Sequence, residues 1–117
     1  MPRVYRVLFS NCSLTSCLPL IAALRSQKEL NIEIICNTPD KFIPAIYFAD
    51  HSNLVPAVNS KKYFSTLLNV CRKEKIDFLW VLSDKEAQVI NSQLSEFAKL
   101  KCRIIIPSKQ TLAICLD

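Results

Sequence analysis

"KEKIDFLWVLSDKEAQVI", residues 73–90, decides the fold. Residues 78–82, Phe-Leu-Trp-Val-Leu, are apolar without interruption. A strand with one wet face alternates apolar and polar. An unbroken short run reads instead as a strand buried on both faces, the pattern of a parallel sheet sandwiched between helices. The flanks agree. Before the run, "SKKYFSTLLNVCRKEK" (60–75) places Phe64, Leu67, Leu68 and Cys71 on one helical stripe. Ser60 stands ready to cap its start, and Arg72, Lys73 and Lys75 suit the negative end of the helix. After the run, Ile90, Leu94, Phe97 and Lys101 fall on one line and predict a helix over 85–101.

The same alternation extends to both termini. "RVYRVLF" (3–9) predicts a strand. After the loop "SNCSLTSC", Leu14, Cys17, Leu18, Ile21 and Leu24 keep helical spacing. Pro19 fits only a first helical turn, so that helix starts near Ser16. "IEIIC" (32–36) and the short "NLVP" (53–56) predict two more strands, and the turn-rich "NTPDKFIP" lies between them. "RIII" (103–106) predicts a fifth strand, stopped by Pro107, and Ser108 is placed to cap a last helix through "KQTLAICLD". Strand and helix in turn give an α/β fold: a three-layer, Rossmann-like open parallel sheet of about five strands with helices on both faces.

Composition bounds the function. The chain has 117 residues, one domain's worth, half of them hydrophobic. The net charge is +5, but the basic residues are scattered among acids, as in "CRKEKID", so no nucleic-acid face is expected. No apolar run approaches the ~20 residues that cross a bilayer, and the N-terminus has no signal-peptide pattern. The expectation is a cytoplasmic protein with no membrane partner. The six cysteines, Cys12, Cys17, Cys36, Cys71, Cys102 and Cys115, have no zinc spacing and no secretory context. They read as small buried hydrophobes, and no metal site is expected. The chain has no glycine, where about eight would be average. A Walker A loop, a dinucleotide fingerprint and a nucleophile elbow all require glycine. Their usual forms are excluded.

Ligands of open parallel sheets bind at the carboxyl ends of the strands, where strand order switches. That rule points to the loops 10–16, 37–42, 49–52 and 83–86. Ser10, Asn11, Cys12 and Ser13 follow the first strand, and Asp84 and Glu86 follow the fourth. Asn37, Asp40, Asp50 and His51 form a second set of candidates. Cys12 has two readings. Between a strand and a helix N-terminus it could act as a lowered-pKa nucleophile in a small phosphoryl-carrying or phosphatase-like enzyme. That loop resembles those of low-molecular-weight tyrosine phosphatases and of the cysteine-phosphorylated IIB subunits of sugar phosphotransferase systems. The former's arginine is replaced by Leu18, and the latter's glycine is missing. The other reading is a loop thiol lining a cleft. Asp84 and Glu86 likewise either orient a cationic substrate group or complement the helix dipole.

Taken in order, "VLFSNCSLTSCLPLIAALR", "IICNTPD", "PAIYFADHSNLVPAVNSKKYFSTLLNVCRKEKIDFLWVLSDKEAQVI" and "IIIPSKQTLAICLD" resemble the N-terminal, pre-ATP-grasp domain of ATP-grasp enzymes. The type is the one annotated carbamoyl-phosphate synthase large-chain-like. The resemblance implies a single domain, 1–117, that stops before the ATP-grasp domains. It implies that those domains, on the same or a separate polypeptide, are its partners. They would bring ATP and magnesium, with no cofactor held by this domain alone. It implies a small-molecule acceptor substrate, with Ser10, Asn11, Cys12, Ser13, Asp84 and Glu86 lining its cleft and none of them catalytic. The isolated chain is then expected to be inactive. Its docking face, with "IPAIYFAD" and "TLAICLD" contributing, is expected to be exposed and prone to self-association. A stand-alone small-ligand binding module on the same fold is the remaining alternative.

Overall fold

The structure is a computed structural model and describes residues 3–11, 17–39, 48–81, 83–107 and 112–115. In chain order the elements are β1 (Val4–Phe9), α1 (Leu18–Ser26), β2 (Asn31–Thr38), β3 (His51–Leu54), α2 (Tyr63–Lys73), β4 (Phe78–Trp80), α3 (Asp84–Asn91), α4 (Leu94–Ala98), β5 (Arg103–Pro107) and β6 (Leu112–Cys115). They build one sheet of order β3-β2-β1-β4-β5-β6. β1 to β5 pair in parallel, as the unbroken apolar runs require.

Among the described residues, α2, α3 and α4 bury one sheet face, and α1 buries the β1–β2 half of the other. Leu8, Ile35, Leu79 and Ile104 point to one face and pack under Leu67, Cys71, Ala87, Ile90 and Phe97 of α2, α3 and α4. There Phe64 meets Phe97 edge-on, ring centroids 5.5 Å apart. Val7, Phe9, Ile34 and Cys36 point to the other face and pack against Cys17 and Ile21 at α1. Cys17, Cys36, Cys71 and Cys102 are buried thiols, as their apolar surroundings in the sequence suggest.

Two elements differ in kind from expectation. The helix expected over 85–101 is two helices. α3 ends at Asn91, and Gln93, with φ −137° and ψ 36°, leaves helical geometry before α4 begins. Asn91, Ser92 and Gln93 supply no apolar anchor to hold one helix through this point. The last segment is a strand, not a helix. β6 runs antiparallel beside β5, with Pro107 opposite Leu112 and Ile104 opposite Cys115. Its pairing satisfies the backbone edge that β5 would otherwise leave open. The sheet thus has six strands, five of them parallel.

The missing glycines also show at the helix ends. α2 closes with the Ile76 N–H donating to the Cys71 carbonyl at 3.1 Å. This is the bond of a Schellman cap, which needs a left-handed residue usually supplied by glycine. Lys75 takes that conformation, φ 52°, and Lys101 does the same after α4, φ 57°.

Candidate functional site

β1 and β4 lie side by side at the centre of the sheet, and the chain leaves them toward opposite edges. This is the switch point, and their carboxyl ends form the rim where ligands of such sheets bind. The Ser10 N–H donates to the Trp80 carbonyl at 3.1 Å and joins the two strand ends.

Under this rim lies a buried polar cluster. The Tyr63 phenol donates to Glu86 Oε2. The Ser83 hydroxyl donates to Glu86 Oε1 at 3.1 Å, and the Glu86 N–H returns to Ser83 Oγ at 3.3 Å. Ser83 is the N-cap of α3 and Glu86 stands three residues on, so the pair closes the helix end in the manner of a capping box. Burial first, and then the negative field of Glu86, hold the Tyr63 phenol far above its ordinary value of 10.0. The cluster therefore ties the starts of α2 and α3 together below the rim.

Ser10 continues the β1 face that carries Leu8 and is 1% exposed. Its hydroxyl sits beside the Tyr63 phenol, close enough to favour the ionised form of that ring. The geometry is not that of a hydrogen bond, and Ser10 Oγ has no partner among the described residues. Phe9 is in register with Cys36, which places Ser10 beside Asn37 on the neighbouring strand. Asn37 is fully buried. Its Oδ1 accepts from Asn53 Nδ2 at 3.1 Å, and Asn53 Nδ2 also donates to Glu74 Oε2 at 2.8 Å. Asn37 Nδ2 has no partner among the described residues. Two buried polar groups with spare hydrogen-bonding capacity thus stand next to each other at the ends of β1 and β2.

The remaining expected residues scatter. Asn11 is half-buried just after Ser10, and Asp84 opens α3. Cys12, Ser13 and Asp40 lie outside the described residues. Glu86 reaches the rim's elements but is fully buried with both oxygens engaged, so it does not line an open cleft. Asp50 and His51 are at the wrong end. They lead into β3, and in a parallel sheet the residues before a strand lie opposite its carboxyl end. Asp50 Oδ2 accepts from the Ile34 N–H at 2.7 Å and from Arg25 at 3.0 Å, clamping α1 to β2. His51 Nε2 meets Glu33 at 2.9 Å, and Arg6 approaches the same carboxylate at 3.7 Å. Among the described residues no three His, Cys, Asp or Glu side chains converge as metal ligands.

Tyr63, Ser83 and Asn53 were not singled out from the sequence. Ser83 and Glu86 carry the Ser-x-x-Glu capping signature, which would have marked Glu86 as a helix-closing residue. Tyr63 continues the stripe through Leu67 and Cys71 at four-residue spacing. A hydroxyl on such a stripe requires a buried partner.

Residues 12–105 match the family described as PylC-like, N-terminal domain. The chain belongs to this family. The PylC-like N-terminal domain is a pre-ATP-grasp-type domain of ATP-grasp enzymes, and the five parallel strands and their helices are its Rossmann-like core. Such a domain has ATP-grasp domains as its partners. No individual curated protein matches the chain at a significant level. No helix among the described residues is long and apolar enough to cross a membrane.

Proposed function

We propose that this PylC-like N-terminal domain forms the acceptor-substrate side of an ATP-grasp ligase. In this reading the partner domains activate a carboxylate or bicarbonate with Mg-ATP, an amine then attacks, and the enzyme is of the carbamoyl-phosphate synthase large-chain-like type. The observation that carries the reading is the family match over residues 12–105, on a fold whose switch-point rim gathers Ser10, Asn11 and Asn37. In this reading Mg-ATP belongs to the partner domains; the absence of glycine for a phosphate loop in this chain supports that division. No catalytic step is assigned to this domain's own residues. Their part is to orient the acceptor through hydrogen bonds and to close one wall of the cleft.

The test begins by reading the source DNA beyond codon 117 and beside the gene for an ATP-grasp reading frame, then assaying the reassembled enzyme. The expected result is amine-dependent ATP consumption by the assembly and none by the 117-residue chain above an unrelated control preparation. Asn11→Ala should raise the KM of the acceptor several-fold and leave the KM of ATP unchanged. Turnover of Mg-ATP by the chain alone, or an Asn11 variant that changes only the ATP parameters, would overturn the reading.

A further inference from the structure

Among the described residues, the sheet face opposite α2, α3 and α4 is only half covered. α1 packs over β1 and β2 through Leu18, Ile21 and Leu24. No described element lies over β4 and β5 on that side. The contrast shows within single strands. On the covered face Leu79 and Ile104 are 0% and 2% exposed. On the other, Phe78, Trp80 and Ile105 are only partly buried. Together with Tyr5, Val7 and Leu24 they line an apolar groove of about 400 Å³. Strands lie ~4.8 Å apart, so β1, β4 and β5 together present a strip about 10 Å wide, the breadth of one α-helix. Parallel sheets are stable when helices cover both faces, and this strip has the breadth to seat one helix.

The groove also has a charge. Its end at the amino edge of the sheet opens into a polar recess of about 260 Å³ lined by Arg3, Asp77, Lys101 and Arg103. Arg103 lines both. Asp77 is consumed by Arg3, at 2.7 Å, and by the Arg6 N–H, at 2.8 Å. Lys101 and Arg103 have no ion-pair partner among the described residues. The rim is therefore net positive, on a chain of net charge +5. A second copy docked face to face with its strands in the same direction would set two such rims against each other, a repulsion that an acidic partner does not meet.

We propose that this groove receives an amphipathic α-helix of a partner protein. The helix lays its apolar stripe on Tyr5, Phe78, Trp80 and Ile105 and its acidic residues against Lys101 and Arg103. This surface lies on the sheet face, apart from the switch-point rim, and goes beyond the substrate reading. Helix-in-groove recognition of this kind takes affinity from the apolar anchors and selectivity from the charged rim.

Trp80 is the chain's sole tryptophan and lies in the groove, so its emission reports occupancy directly. The probe is a synthetic helix of about 18 residues with leucines at i, i+3, i+4 and i+7 and glutamates on the polar face. A twin carries lysines in place of the glutamates. The expected result is a saturable blue shift of Trp80 emission by the acidic helix, with affinity about tenfold above that of its twin near 0.1 M salt. Arg103→Glu, and separately Lys101→Glu, should narrow or reverse that preference while circular dichroism stays unchanged. Absence of saturable binding, equal binding of the two helices, or concentration-dependent dimerisation that buries Trp80 without peptide would each overturn the proposal.

Discussion

Replacing Tyr63 with phenylalanine tests the buried cluster that holds α2 and α3 below the rim. The ring stays and keeps its packing; only the hydroxyl goes. Glu86 Oε2 then loses the phenol it accepts from, while Oε1 keeps Ser83. Glu86 is 0% exposed, so water does not readily replace the lost donor. Hydrogen bonds to a charged group contribute about 1.5–3 kcal/mol, and a buried acceptor left bare costs about as much. Tyr63→Phe should therefore destabilise the fold by about 2 kcal/mol, a sizeable part of the 5–15 kcal/mol typical of a domain. With a urea m-value of about 2 kcal/mol/M, the midpoint falls by about 1 M. Trp80 stacks on Phe9 at 5.7 Å, so its emission follows loss of the sheet core during the titration. Glu86→Gln in both backgrounds completes a double-mutant cycle, with a coupling of about 1 kcal/mol or more. The pH dependence supplies a second readout. The folded-state pKa of Tyr63 is raised above its ordinary value of 10.0. Its contribution is thus fully present below pH 10 and is lost as pH rises beyond it, because only the unfolded chain gives up the proton. The slope approaches about 1.4 kcal/mol per pH unit in the wild type, and this component vanishes in Tyr63→Phe. A Tyr63→Phe variant within about 0.5 kcal/mol of wild type, or strict additivity with Glu86→Gln, would refute the reasoning.

Two other outcomes follow from the fold. Lys75 holds a left-handed conformation that costs a non-glycine residue about 1 kcal/mol, so Lys75→Gly should raise stability by a net of about 0.5 kcal/mol, read as a higher urea midpoint. A loss of stability would show that the lysine side chain makes a contribution outweighing its backbone strain. The Cys71 thiol is held well above its ordinary 9.0 by its hydrogen bond with Cys102 and by burial. At pH 8 iodoacetamide should therefore modify it no faster than the chain unfolds, as followed by intact mass. Modification at the rate of an unfolded peptide would contradict that placement.

The sequence by itself determined the architecture of the parallel sheet and much of its core. Uninterrupted runs such as residues 78–82 carry the parallel sheet in their lack of alternation, although the face of β4 that bears Phe78 and Trp80 is only partly buried. The stripe through Leu67 and Cys71 carries the face of α2, because a 3.6-residue period leaves only one side able to meet the sheet. The sequence also indicated the end of β1, which Ser10 and Asn11 directly follow.

Other features were decided only by tertiary structure. The carboxyl-rim rule does not extend to the loop before β3: residues that precede a parallel strand lie at its amino end, and only the fold decided which partners they take there. Asp50 and His51 consequently serve as clamps on Ile34 and Glu33. Glu86 looked the same on paper as an open first-turn acid; its burial depends on a phenol from α2, 23 residues away. The final segment has apolar residues that suit a helix or a strand. Pairing with β5 decided it, because an open sheet edge has backbone groups that a neighbouring strand can satisfy. In the first two cases the deciding contacts join residues 16 or more apart in sequence, and in the third they cross a hairpin. Local periodicity carries no record of such contacts, so only the folded chain could reveal them.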